Sequence, residues 1–94
     1  MKALPEDVKV YKRTPPFSQD SIPAGLLKSH ATKAGTWGKI CVTKGELLYV
    51  IEATDSLEAE SIELSPSLFG VVEPEVIHHV KPLGDVDFYV EFYM

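Results

Sequence analysis

Apolar and polar positions alternate along most of this chain, in short runs that glycine and proline interrupt. The C-terminal segment shows it best: Val86, Phe88, Val90 and Phe92 make an apolar set, while Asp87, Tyr89, Glu91 and Tyr93 make a polar and aromatic one. A period of two is the signature of a strand with one covered face. The same reading predicts strands over 8–14, 26–32, 37–43, 46–53, 61–64, 69–72, 77–81 and 86–94. Pro15-Pro16 ends the first, because proline cannot donate to a ladder. In the second, Leu26, Lys28, His30 and Thr32 share a face. In the third, Ile40 and Val42 oppose Trp37, Lys39, Cys41 and Thr43.

The punctuation between these runs predicts turns. Lys44-Gly45 reads as a tight turn, with glycine supplying a positive φ, and makes 37–43 and 46–53 a hairpin. Ser65-Pro66-Ser67, Glu73-Pro74-Glu75 and Pro82-Leu83-Gly84-Asp85 read the same way. Residues 55–60 favour helix but are too few to hold one, so they are expected to form a loop. Seven or eight short strands at spacings of about 8–12 residues, with no helix of consequence, predict a small all-β sandwich or barrel.

At 94 residues the chain is one domain, 1–94. Hydrophobic residues make 45% and charged residues 24%, so a folded core is expected and not a disordered chain. The net charge of −5 argues against general nucleic-acid binding, which needs a basic face. No apolar run approaches the ~20 residues that cross a bilayer, and the N-terminus has no signal-peptide pattern, so a cytoplasmic location is expected without membrane association. The single Cys41 cannot form an internal disulfide.

Three histidines are the strongest candidates for chemistry. His78 and His79 are adjacent, so a strand points them to opposite faces and at most one reaches the interior. If that one meets His30, two imidazoles converge, a set suited to Zn, Fe, Ni or Cu but short of the four ligands of a structural zinc site, and a divalent Zn, Ni, Mn or Fe ion is the expected cofactor. Glu91, in mid-strand, is the candidate third ligand, provided that its face is the inner one. Arg13 is the candidate anchor for an oxyanion, because its guanidinium presents a fork of donors. Trp37 and Cys41 share the candidate ligand-binding face. No residue is assigned a catalytic role: there is no phosphate loop, no Ser/His/Asp set and no CxxC.

Two stretches together carry a family resemblance: His30-Ala-Thr-Lys-Ala-Gly-Thr-Trp-Gly-Lys-Ile-Cys-Val-Thr-Lys-Gly45 with Glu46-Leu-Leu-Tyr49, and Phe69-Gly-Val-Val-Glu-Pro-Glu-Val-Ile-His-His-Val80. With Tyr11–Phe17 and Pro23–His30 they resemble the cupin-like domain at the N-terminus of bacterial tellurite-resistance protein B and its stand-alone relatives, over residues 8–94. The resemblance implies a cupin double-stranded β-helix, a jelly-roll barrel. It implies that His30 and His78 match two of the four usual cupin metal ligands. Lys28 and Thr32 stand where a partner histidine would, and the first-motif glutamate falls at Gly38. In that family a methyltransferase dependent on S-adenosylmethionine follows the cupin. Neither that domain nor a nucleotide cofactor is expected here, so the expectation leans against an enzyme.

Three readings follow. The first is a barrel binding a metal ion or small oxyanion in tellurite or other toxic-oxyanion resistance, with a separate methyltransferase as a possible partner. The second is a metal-dependent cupin enzyme. The third is an interaction module in which Phe88, Val90 and Phe92 form an interface. A homodimer is compatible with all three.

Overall fold

The computed structural model describes residues 1–94. Its elements are β1 (Val10–Arg13), β2 (Phe17–Ser18), a one-turn helix α1 (Ala24–Leu27), β3 (Trp37–Ile51), β4 (Glu60–Leu64), β5 (Gly70–Val72) and β6 (His78–Tyr93). The strands form one six-stranded sheet in which every pairing is antiparallel, in the order β1-β6-β3-β4. β1 and β2 both lie along one edge of β6, separated by Pro15-Pro16. β4 and β5 likewise share the free edge of β3. The expected all-β class holds, with one short helix added.

The spine is the long pair β3 and β6, in register from Trp37↔Tyr93 to Ile51↔His78. Here the structure corrects the sequence reading. Lys44-Gly45 and Pro82–Asp85 do not reverse the chain. They face each other as irregularities inside two continuous strands, with register shifts between Val42 and Lys44 and between Gly45 and Leu47. Gly45 takes a φ of 76° and Gly84 one of 89°. An extra residue in one strand of a pair bends it and increases its twist, so glycine served the same backbone need without forming a turn. Thr43, the residue left over on β3, donates its hydroxyl hydrogen bond to the Asp87 carbonyl at 3.3 Å.

A second correction concerns residues 26–32. Ala24–Leu27 make the turn of helix α1, beginning after Pro23, and only His30 forms a β-bridge. Ala and Leu are good helix formers and proline is tolerated at a helix start, a local signal that the alternation at 26–32 obscured.

The core gathers on one face of the sheet. Leu47, Tyr49, Leu64, Val86 and Phe88 are sealed from solvent, and Ile40, Val42, Val72, Val80 and Val90 complete the cluster. Tyr49 satisfies its buried hydroxyl by donating to the Val71 carbonyl at 3.0 Å. Burial pushes that phenol far above its ordinary range. The expected interface of Phe88, Val90 and Phe92 is therefore wrong for the first two: Phe88 and Val90 belong to the core, and Phe92 packs partly buried against it.

Candidate functional site

His30 and His78 meet. Each donates its backbone N–H to the other's carbonyl, at 3.0 and 2.9 Å. In such a mutual antiparallel pair the two side chains project from the same face. The imidazole centroids are 4.1 Å apart with their planes tilted by 57°. Two further bonds fix the His30 segment. The Glu75 N–H donates to the Thr32 carbonyl at 3.1 Å, and the Thr32 hydroxyl donates to the Thr36 carbonyl at 2.8 Å. Glu75 makes its bond from a left-handed conformation, φ 65°, unusual for a residue with a side chain.

Both rings have their Nδ1 against a main-chain carbonyl two residues earlier: His30 on Lys28 and His78 on Val76, each at 2.9 Å. A carbonyl only accepts, so Nδ1 carries the proton and the neutral ring keeps its lone pair on Nε2. Tyr49 meets the His78 ring edge to face at 5.6 Å. Burial lowers the His78 pKa from its ordinary value, and the neighbouring His30 lowers it further, against the opposing pull of the Val76 carbonyl. Burial and His30 both favour the neutral, accepting form of His78.

The two rings line a cavity of about 350 Å³. Its wall includes Gly38 and Ile40 of β3, Val72 of β5 and Val80, Val90 and Phe92 of β6, with Leu26 of α1 and with Thr32 and Thr36 from the loop before β3. Lys12 and Lys33 supply its cations, and no aspartate or glutamate lines it. The sequence reading missed Tyr11, Lys12 and Thr36 as lining residues, because they lie on an edge strand and a loop where alternation carries no information.

Glu91 is elsewhere. Alternation along β6 turns Val90 and Phe92 toward the cavity and Glu91 to the opposite face of the sheet. There its carboxylate accepts from Arg13 Nε at 3.1 Å, Arg13 Nη2 at 2.6 Å and the Tyr93 hydroxyl at 3.2 Å. The Arg13 bond above all holds the Glu91 pKa below the usual carboxylate value. The expected trio of His30, His78 and Glu91 is thus corrected to a pair, and nowhere do three His, Cys, Asp or Glu residues gather as a metal-holding group. The position where the resemblance places a cupin glutamate, Gly38, does line the cavity. A Cβ built there meets Val72 Cβ at 3.0 Å, so the site has little room for a side chain. The donor set therefore does not fit a divalent ion held by the protein alone.

Arg13, Trp37 and Cys41 are corrected with Glu91, since none of the three lines the cavity. Arg13 lies over the Tyr89 ring at 4.9 Å. Cys41 sits 3.9 Å from Glu91 Oε1, and burial raises its thiol pKa. Trp37 pairs with Tyr93. The physical reason is the phase of β3: Gly38 and Ile40 point inward, so Trp37, Lys39 and Cys41 point out. His79 also faces away from the cavity, its Nδ1 2.9 Å from a Glu52 carboxylate oxygen that the Ser29 hydroxyl also contacts at 2.5 Å.

Comparison with known proteins gives these features a setting. A family model described as the TehB-like domain matches residues 12–90. A protein of Haemophilus influenzae (strain ATCC 51907 / DSM 11121 / KW20 / Rd), named probable S-adenosyl-L-methionine-dependent methyltransferase TehB, is 38% identical over 76 residues, which are 80% of this chain and 27% of that protein. Its counterpart in strain 10810 is 37% identical over the same share. This chain thus spans about a quarter of the length of the curated relatives it matches. The crystal structure of TehB from Haemophilus influenzae superposes with a TM-score of 0.82 at 33% identity, over 94% of this chain and 32% of that one. A crystal structure of a protein from E. coli (strain K12) superposes with a TM-score of 0.88 at 23% identity, over 100% and 97% of the two chains, and shares the fold.

Proposed function

Because the chain belongs to the TehB-like domain family, we propose that it is a binding module of tellurite resistance whose cavity takes a small, partly protonated oxyanion. One observation carries the reading: His30 and His78, each with Nδ1 on a main-chain carbonyl and Nε2 left to accept, line a cavity together with Lys12 and Lys33, and no carboxylate lines it. An acid oxyanion such as hydrogen tellurite has an O–H to give a neutral imidazole and a negative charge to set against Lys12 and Lys33. A dication would meet two ligands and two like charges. The bent pair β3 and β6 around a lined cavity supports the finer reading of the fold as a cupin jelly roll. The methyltransferase name of the relatives supports a role for this domain alongside methyl transfer.

The test is calorimetric titration with tellurite, phosphate and sulfate at neutral pH. Tellurite and phosphate, which keep an O–H, are expected to bind more tightly than sulfate, which does not. His30→Ala and His78→Ala should each weaken binding at least tenfold, about 1.4 kcal/mol, and His79→Ala by less than twofold. Equal losses in all three variants, or no heat with any oxyanion, would overturn the reading. Stoichiometric Zn, Ni, Mn or Fe binding that both inner-histidine variants abolish would replace it with a metal site.

A further inference from the structure

We propose that the cavity takes an organic oxyacid: an acid head of the phosphonic or arsonic type, which keeps one O–H at neutral pH, on a compact alkyl or aryl body. The inference rests on the oxyanion reading of His30, His78 and the two lysines, and it assigns a ligand to the part of the cavity that an inorganic ion leaves over.

The first observation is size. The cavity holds about 350 Å³. A water takes roughly 30 Å³ of liquid, so roughly a dozen water-sized groups fit. A pyramidal or tetrahedral inorganic oxyanion fills less than half of that. The whole volume is in the range of sites for small organic molecules.

The second is how the wall divides. Its hydrogen-bonding and charged groups come from the loop before β3, which carries His30, Thr32, Lys33 and Thr36, from Lys12 on β1 and from His78 at the start of β6. The sheet supplies an apolar patch. Gly38 of β3 pairs with Val72 of β5 on one side and with Phe92 of β6 on the other, and Ile40 pairs with Val90. Cross-strand partners stand side by side, so these five make one continuous surface across three strands, and all five line the cavity. Leu26 of α1 adds to it from outside the sheet. His78 pairs with Ile51, at the far end of the ladder from Gly38 and Phe92, and the same cavity is lined from both ends.

An ion alone would leave the apolar patch against water. A carbon body laid on it removes both surfaces from water, a gain that a hydrated oxyanion cannot make. The head is chosen by the other wall. A neutral imidazole accepts an O–H, and Lys12 and Lys33 favour a negative charge. Carboxylates and sulfonates are fully ionised at neutral pH and have no O–H to give. Phosphonic and arsonic acids hold their second proton near neutrality and supply both.

The experiment is calorimetric titration at pH 7 with phosphate, methyl-, ethyl-, propyl- and phenylphosphonate, and benzenesulfonate. Affinity should rise about three- to fourfold with each added methylene. Phenylphosphonate should bind at least tenfold more tightly than phosphate or benzenesulfonate. Leu26→Ala should weaken phenylphosphonate at least threefold and leave phosphate unchanged, whereas His30→Ala weakens both. In a chain with ¹³C-labelled methyl groups, signals of Ile40, Val72 and Val90 should move with phenylphosphonate and stay in place with phosphate, a readout that needs no variant. Phosphate binding with a flat alkyl series, or unmoved methyl signals, would overturn this inference and leave the oxyanion reading standing. Benzenesulfonate binding as tightly as phenylphosphonate would overturn the choice of head and with it the proposal. Failure of every compound to bind would overturn both readings. Phosphonate binding without phosphate binding would support this one and remove the inorganic ion as the ligand.

Discussion

Gly45→Ala tests the corner of the sheet most directly. Gly45 has a φ of 76°, and a Cβ built on it lies 2.0 Å from the carbonyl oxygen of Asp85. Two costs add. A left-handed conformation costs a residue with a side chain about 1–2 kcal/mol. The clash is separate: carbon and oxygen normally approach no closer than about 3.3 Å, so the strands must part by roughly an ångström where β3 and β6 are paired. The obstacle is backbone, which no rotamer change moves aside. The sum should exceed about 4 kcal/mol, a large share of the roughly 5–15 kcal/mol that holds such a domain folded. Gly84→Ala is the control. Gly84 has a similar φ of 89° but nothing within 4 Å of the added Cβ. It should lose only the backbone cost, about 1–2 kcal/mol, at about 4–8 °C in Tm for each kcal/mol. Urea unfolding of both variants, with m-values compared to the parent, measures the difference. Equal losses would refute the packed corner and mean that the bend tolerates a side chain.

Other outcomes follow from the titratable groups. The pKa of His78 is lowered in the folded chain, so between the ordinary histidine value of about 6.5 and that lowered value the unfolded chain binds the extra proton. Stability should therefore fall as pH drops below about 6.5, and thermal melts of His78→Leu should lack that slope. The pKa of Glu91 is also lowered, so its stabilising contribution is present above about 4.5 and is lost as pH falls through the folded value. Glu91→Gln should flatten the acid limb of the urea midpoint. Arg13→Ala should lower that midpoint at pH 7 more than Glu91→Gln does, because it leaves a covered carboxylate without its cation. Cys41, whose thiol pKa burial raises, should react with iodoacetamide at least about tenfold more slowly in the native chain than in urea.

The sequence made the strands legible and their continuity illegible. Alternation put Val86, Phe88 and Val90 on one apolar face of β6, and for the same reason split His78 and His79 between opposite faces. Lys44-Gly45 and Pro82–Asp85 were opaque because a glycine that permits a turn also permits a bulge. Only the partner strand decides, and each of these segments is the other's partner. The pairing of His30 with His78 followed from the family resemblance; alternation on separate segments fixes no distance between them. Glu91 went astray through phase. A period of two tells which residues share a face and leaves open which face is covered. Here both are: Glu91 is 7% exposed on the outer side, under Arg13 and Tyr93.

The division of labour between the long strands and the first 36 residues has a kinetic consequence. The β3–β6 ladder carries most of the core, and β1, β2, α1 and the His30 loop lie against it, contributing only the partly buried Phe17, Ile22 and Leu26: β1 has no covered residue and α1 buries none. Yet these are the segments that bring Tyr11, Lys12, Leu26, His30 and Lys33 to the cavity. Such weakly anchored pieces detach at a small fraction of the global unfolding free energy. The cavity can thus exchange its contents through partial openings of the N-terminal third while the β3–β6 sheet remains closed. Amide hydrogens of residues 9–33 should exchange far faster than those of 38–42, and the amides of Val86 and Val90, which donate to Gln19 and Thr14, should exchange with the detaching segment.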